Sequence, residues 1–81
     1  MGKQTSSDNY PYWVDRRGVP HLNFGWAERH YARLSEEALR FSISDCRSAI
    51  AAMPENPKNG LYEDTIHVIG MILAGRSRGV T

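Results

Sequence analysis

The sequence predicts a mainly α-helical domain with a small β component, in which an N-terminal β-hairpin precedes an antiparallel helical hairpin whose first helix is long or kinked. Three observations lead to this fold class. Two short apolar runs surround a turn near the N-terminus, helical periodicity follows them, and a loop rich in proline separates two helical stretches. A chain of 81 residues is long enough for one small domain with a thin core.

The hairpin is predicted over residues 11–23. Asp15 suits the first position of its turn because the carboxylate can accept hydrogen bonds from backbone N–H groups two residues on. Gly18 can adopt the positive φ that closes a type I turn with a bulge. Pro11 and Pro20 lack an N–H group and should confine both strands to sheet edges. Because two strands alone are marginally stable, the hairpin must pack against the helices.

Helical periodicity extends from about residue 26 to 53. On a single helical projection, one arc of residues should face the core: Ala27, Tyr31, Leu34, Ala38, Phe41, Ala49 and Ala52. A second set widens this arc: Leu39, Ile43, Cys46 and Ile50. Asp45 projects into the arc, so we expect it to be a buried carboxylate that requires a partner. Ser35 and the two glutamates after it form a helix-start signal, which predicts a break or kink near Leu34.

The loop at residues 54–60 should end this helix, since residues before proline avoid the α region and Asn59-Gly60 favours a turn. A last helix is predicted from about residue 61 to 75. Glu63 and Asp64 would then lie in its first turn, where the helix dipole favours acidic groups. This helix is apolar nearly all round, which predicts a position in the core or in a subunit interface.

The chain divides into a flexible polar leader at residues 1–9, a single domain at 10–76 and a tail at 77–81. The leader lacks the apolar core of a signal peptide, and no apolar run is long enough to span a bilayer. Gly2 and a serine at position 6 fit the pattern for myristoylation, which requires a eukaryotic host. One cysteine excludes an intramolecular disulfide and favours a reducing compartment, so we expect a cytoplasmic protein that does not contact the membrane.

The basic and aromatic residues are the candidates for binding a partner. A net charge of +1 provides no global field for nucleic acid or membrane, so any basic site must be local. On the single-helix projection, four arginines share one face, which either contacts a partner or is a solvated face with helical Arg–Glu pairs. The aromatic residues of the hairpin either contact a partner or pack the hairpin onto the helices. The partner-binding candidates are Arg29, Arg33, Arg40, Arg47, Trp13 and Tyr12.

Glu63, Asp64 and His67 form the densest cluster of metal-ligand side chains in the sequence. A metal site would need further ligands, for which Asp45 and Cys46 are the candidates. The alternative is that these groups are helix-dipole acids and core pairs. A nucleophile formed by Cys46 and a histidine has no supporting sequence signature. We therefore expect no enzymatic activity, no metal and no cofactor.

Three segments resemble small accessory proteins of bacteriophages and prophages: residues 12–21 (YWVDRRGVPH), 43–50 (ISDCRSAI) and 62–67 (YEDTIH). Those proteins often start with a short aromatic hairpin that turns at Asp and Gly, and continue through amphipathic helices. The resemblance covers residues 12–74 loosely and transfers no functional residue. It implies a host-interaction or anti-defence protein, which binds a host complex and blocks or redirects it, and it argues against myristoylation.

The sequence therefore predicts a small non-catalytic protein-interaction module that inhibits or redirects a complex in the cytoplasm of a bacterial host. The alternative is a small nucleic-acid-binding protein that uses the arginine face. The apolar surface exceeds what one helix-on-helix contact covers, which also leads us to expect a homodimer or a stable partner.

Overall fold

The computed structural model describes residues 10–78 and confirms the predicted fold class, with a hairpin followed by helices. The leader with Gly2, and the tail beyond residue 78, lie outside the described residues. Helix α3 is the central element, because it contacts both other helices and the second strand. No helix within residues 10–78 combines the length and the apolar character needed to cross a bilayer. The elements are β1 (Tyr12–Val14), β2 (Pro20–Leu22), α1 (Phe24–Ala32), α2 (Glu36–Ala52) and α3 (Asn59–Ser77).

The predicted break near Leu34 is confirmed. Helix α1 ends at Ala32, and α2 begins after Ser35, whose hydroxyl accepts a hydrogen bond from the backbone N–H of Ala38 at 3.1 Å. The last carbonyls of a helix have no partner within the helix itself. Arg76 of α3 supplies one, since its Nη2 donates to the carbonyl oxygens of Ala32 at 3.0 Å and Leu34 at 2.8 Å. This guanidinium therefore ties the end of α3 to the junction between α1 and α2.

Helix α2 turns a different face to the core from the one that the projection predicts. Leu39 is fully buried, whereas Phe41 is 70% exposed and Asp45 and Ala52 are also exposed. The prediction that Phe41, Ala52 and the Asp45 carboxylate face the core is therefore wrong. The projection treated α1 and α2 as one continuous helix. The break between them changes the angular position of every α2 residue around the helix axis. The half-buried side chains that flank Leu39 are those of the second set: Ile43, Cys46 and Ile50.

Helix α3 begins at Asn59, earlier than predicted, so Asn59 and the following glycine belong to the helix and do not form a separate turn. The Nδ2 group of Asn59 donates to the carbonyl oxygens of Met53 at 2.8 Å and Pro54 at 3.0 Å, which fastens the loop to the start of the helix. Glu63 and Asp64 consequently lie beyond the first turn, and their predicted role at the helix dipole is wrong. At its other end, α3 continues to Ser77, past the predicted end at 75.

The core is thin and centres on α3. Leu22 of β2 packs with Ala27 of α1 and Val68 of α3, so one strand residue joins the hairpin to the helices. Leu39 of α2 and Ile69 of α3 are the largest side chains that are fully buried among the described residues. Complete burial of such side chains stabilises the folded state by about 1.5–3 kcal/mol each.

Replacing Leu39 by alanine tests the observed face of α2. We expect Leu39→Ala to lower the free energy of unfolding by about 2–5 kcal/mol, because it leaves a cavity beside α3. Phe41→Ala, about 200° around the helix axis on the exposed face, should change it by about 0.5 kcal/mol or less. Urea unfolding at low protein concentration measures both values. Equal losses for the two variants would contradict the orientation of α2.

Replacing Arg76 tests the tie between α3 and the helix junction. We expect Arg76→Ala to lower the free energy of unfolding by about 1 kcal/mol, since two charge-assisted bonds at an exposed site are lost. Arg78→Ala is the matched control, because Arg78 is also exposed and has no such bond within residues 10–78. Urea unfolding of both variants is the measurement, and an identical stability for the two would refute the role of Arg76.

Candidate protein-binding surface on the hairpin

Asp15 organises the turn of the hairpin. Its N–H donates to the carbonyl oxygen of Val19 at 3.0 Å, and its own carbonyl accepts from the N–H of Gly18 at 3.0 Å. Its carboxylate oxygen Oδ1 accepts from the backbone N–H groups of Arg17 at 2.8 Å and Val19 at 3.0 Å. Gly18 has a φ of +83°, which residues with a side chain rarely adopt. The predicted roles of Asp15 and Gly18 in the turn are thus confirmed.

The second carboxylate oxygen of Asp15 links the turn to a pair of aromatic rings. Oδ2 lies 2.9 Å from Nε2 of His21. The His21 ring stacks on Trp13, its direct partner across the hairpin, with ring centroids 4.5 Å apart and an interplanar angle of 22°. The bond to His21, with those from the N–H groups of Val19 and Arg17, holds the pKa of Asp15 below its usual value.

Strand β1 is exposed along its whole length, in contrast to β2, which ends in the buried Leu22. Trp13 is 53% exposed, Tyr12 48% and Val14 53%. Because side chains alternate along a strand, Trp13 and His21 share the face opposite to Leu22. We call this face, formed by Trp13, His21 and Asp15, the outer face of the hairpin. Its tryptophan is fixed by stacking and yet remains open to solvent.

Two arginines border the outer face at the turn. Arg16 and Arg17 are exposed, and their side chains form no ion pair with any residue from 10 to 78. The Asp15 carboxylate beside them already accepts hydrogen bonds from two backbone N–H groups and from His21. The turn therefore presents positive charge next to the exposed tryptophan.

The four arginines predicted to share a helical face lie on two different helices. Arg29 is in α1, Arg33 is the C-cap residue of α1, and Arg40 and Arg47 are in α2. All four are exposed, but the break between the helices means that one continuous face does not contain them. Arg40 is paired with Glu36, with Nη2 and Oε2 2.8 Å apart. The two arginines of α2 both line an open hollow of about 470 Å³, together with Ser44 and Ser48.

The candidate metal and thiol groups do not converge. Within residues 10–78, no three His, Cys, Asp or Glu side chains are placed so that they could hold a metal ion. Asp45 is exposed and therefore does not pair in the core. Burial, and secondarily the charge of Asp45, raise the pKa of Cys46 above its usual value, which disfavours the thiolate. Burial, with a smaller contribution from Cys46, also raises the pKa of Tyr31.

The sequence prediction includes Trp13 of the outer face, and Tyr12, which alternation places on the other face of β1 with Leu22. It misses His21, Arg16 and Arg17. The missing signal was the register of the hairpin. A turn that starts at Asp15 and closes at Gly18 places residue 13 opposite residue 21, and this pairing follows from the turn residues alone.

Comparisons with protein-family models, with curated proteins and with solved structures gave no match for this chain. The resemblance to phage accessory proteins accordingly stays a prediction. The geometry of the hairpin is the observation that indicates a function.

Replacing His21 tests the electrostatics of the outer face. We expect His21→Leu to move the pKa of Asp15 up towards its usual value, because it removes the hydrogen bond from His21 that is the main cause of the lowered pKa. A lowered carboxyl pKa stabilises the fold at higher pH, and this contribution is lost as the pH falls below about 4. The variant should therefore lose less stability on acidification. Titration of the Asp15 carboxyl carbon by NMR is the measurement.

His30→Leu is the matched control for this titration. His30 also stacks on a tryptophan, Trp26, with ring centroids 4.5 Å apart, but it makes no contact with Asp15. It should leave the pKa of Asp15 unchanged. If His21→Leu and His30→Leu gave the same titration curve, the proposed cause of the Asp15 shift would be wrong.

Proposed function

We propose that this protein is a small non-catalytic protein-binding module that engages its partner through the outer face of the hairpin. One observation carries the proposal: Trp13 is half exposed, yet its ring is fixed by His21, which is itself held by Asp15. A core this thin gains stability from every large apolar side chain that it buries. A tryptophan that is instead held at the surface supports a role in binding.

The physical advantage of this arrangement is pre-organisation. Binding costs free energy whenever a side chain must be immobilised, at about 0.5–1.5 kcal/mol for each flexible side chain. The stacked ring of Trp13 loses little freedom, because His21 already restricts it. Tryptophan, tyrosine and arginine are the residues most often found as binding hot spots, and the hairpin exposes all three types.

The chemistry of the hairpin defines the partner surface that fits it. Trp13 requires an apolar pocket, and Arg16 and Arg17 favour acidic side chains at the rim of that pocket. Because the chain has a net charge of only +1, this attraction is local. We therefore expect salt to weaken binding modestly, and far less than it weakens binding to nucleic acid.

The resemblance to phage accessory proteins supports a specific class of partner. We infer that the partner is a protein complex in the cytoplasm of a bacterial host, which this module inhibits or redirects. The hairpin would act by occupying an apolar pocket that the complex uses for one of its own contacts. Catalysis by this chain is not part of the proposal.

Affinity capture from source-cell lysate tests the proposed function. The tagged protein, its Trp13→Ala variant and a matched Met71→Ala variant are compared with and without nuclease, and the bound proteins are identified by mass spectrometry. Met71 is the control because it is also a large, exposed apolar side chain but lies on α3. We expect wild type and Met71→Ala to retain one stoichiometric protein, and Trp13→Ala to bind it at least about tenfold more weakly, as for a hot spot.

Two results would overturn this function. Equal capture by Trp13→Ala and wild type would show that the outer face is not the binding surface. Recovery that disappears with nuclease would favour the alternative of a nucleic-acid-binding protein. In that case, the affinity should fall steeply as the salt concentration rises, with the arginines of α2 as the phosphate contacts.

A further inference from the structure

The free edge of β1 carries backbone groups that the hairpin itself does not use. The N–H of Asn23 donates to the carbonyl oxygen of Pro11 at 2.9 Å, and that of Asp15 donates to Val19 at 3.0 Å. Hydrogen-bonded pairs alternate along an antiparallel ladder, so Trp13 and His21 form the next bonded pair. The N–H and C=O groups of the two residues on either side of Trp13 therefore point away from β2.

Within residues 10–78, this edge has none of the usual protection against another strand. Natural edge strands are commonly blocked by an outward-facing proline, a lysine or a bulge. Pro11 does not block β1, because its backbone faces β2. The strand itself consists of three exposed apolar or aromatic residues, with no charge among them. Helix α3 packs on β2 and leaves β1 on the far side of the hairpin.

We propose that the edge of β1 pairs with β1 of a second copy of this chain, antiparallel and with Trp13 at the two-fold axis. The two hairpins then form a continuous four-stranded sheet in the order β2, β1, β1 and β2. An interface formed by a two-fold axis uses the same surface of both copies, so each surface must complement itself.

The exposed residues of β1 satisfy this requirement in one register. When Trp13 faces Trp13, Tyr12 of each copy faces Val14 of the other, and all outward N–H and C=O groups of these two residues find partners. The two Trp13 residues then form a non-hydrogen-bonded pair, in which side chains approach most closely and aromatic pairs contribute to sheet stability.

The dimer has a consequence for the outer face. Trp13 and His21 of both copies would lie in one row across the sheet, which doubles the aromatic surface available to a partner. The pairing uses the edge of the strand, whereas the proposed function uses its face. The dimer therefore does not depend on the proposed function, and either can fail while the other stands.

Edge-blocking variants test the dimer. Val14→Pro removes an outward N–H without removing a bond inside the hairpin, and Val14→Lys places a charge on the shared edge. Sedimentation velocity over low to high micromolar concentrations should show wild type moving from 9.2 kDa towards twice that mass, with both variants remaining monomeric. Met71→Lys, at another exposed apolar site, which lies on α3, should dimerise as wild type does.

Disulfide trapping tests the register. In a Cys46→Ala background, Trp13→Cys places two thiols at the two-fold axis, where Cα atoms about 4.5 Å apart suit a disulfide. Tyr12→Cys is the matched control, because its two Cα atoms would be about 8–9 Å apart, beyond the range of a disulfide. We expect the first variant to cross-link on mild oxidation and the second not to. A wild type that stays at 9.2 kDa at every concentration, a Val14→Lys variant that dimerises, or equal cross-linking of the two cysteine variants would overturn the proposal.

Discussion

Packing against α3 is the constraint on which the rest of the structure depends. This helix is the common neighbour of α1, α2 and β2, and it contributes both Ile69 and Val68 to the buried core. Apolar residues lie on all sides of this helix, so it has little amphipathic character. This pattern fits a helix that contacts neighbours on several sides. Because so few side chains are fully buried, the orientation of each element is set by one or two residues, such as Leu39 for α2 and Leu22 for the hairpin.

The same constraint explains why the hairpin depends on polar contacts. Among residues 12–22, Leu22 alone is buried, and a two-stranded sheet is marginally stable by itself. Asp15 compensates by accepting hydrogen bonds from two backbone N–H groups and from His21, on which Trp13 stacks. The contacts that stabilise the turn therefore also fix the exposed tryptophan. In this protein, the hydrogen bonds of Asp15 both stabilise the hairpin and hold the exposed tryptophan in place for binding.

The sequence predicted those features that depend on neighbouring residues. Asp15 and Gly18 define their turn, and Ser35 caps α2, through bonds that span at most four residues. Features set by distant contacts were missed. The face of α2 depends on the phase after the break, which packing against α3 decides, so Phe41 and Asp45 were misplaced. The shared face of the candidate arginines was predicted from the same continuous helix and failed for the same reason. The placement of Trp13 and Tyr12 depended only on the position of these residues in the hairpin.

A rigid hairpin is the central claim, and backbone ¹⁵N relaxation across residues 12–22 tests it most directly. If Asp15, His21 and Trp13 hold one another as described, the amides of both strands and the turn should have order parameters of about 0.85, equal to those of the helices. Values below about 0.6 over these residues would describe a flexible loop. That result would contradict a pre-organised tryptophan and, with it, the reason for assigning binding to this face.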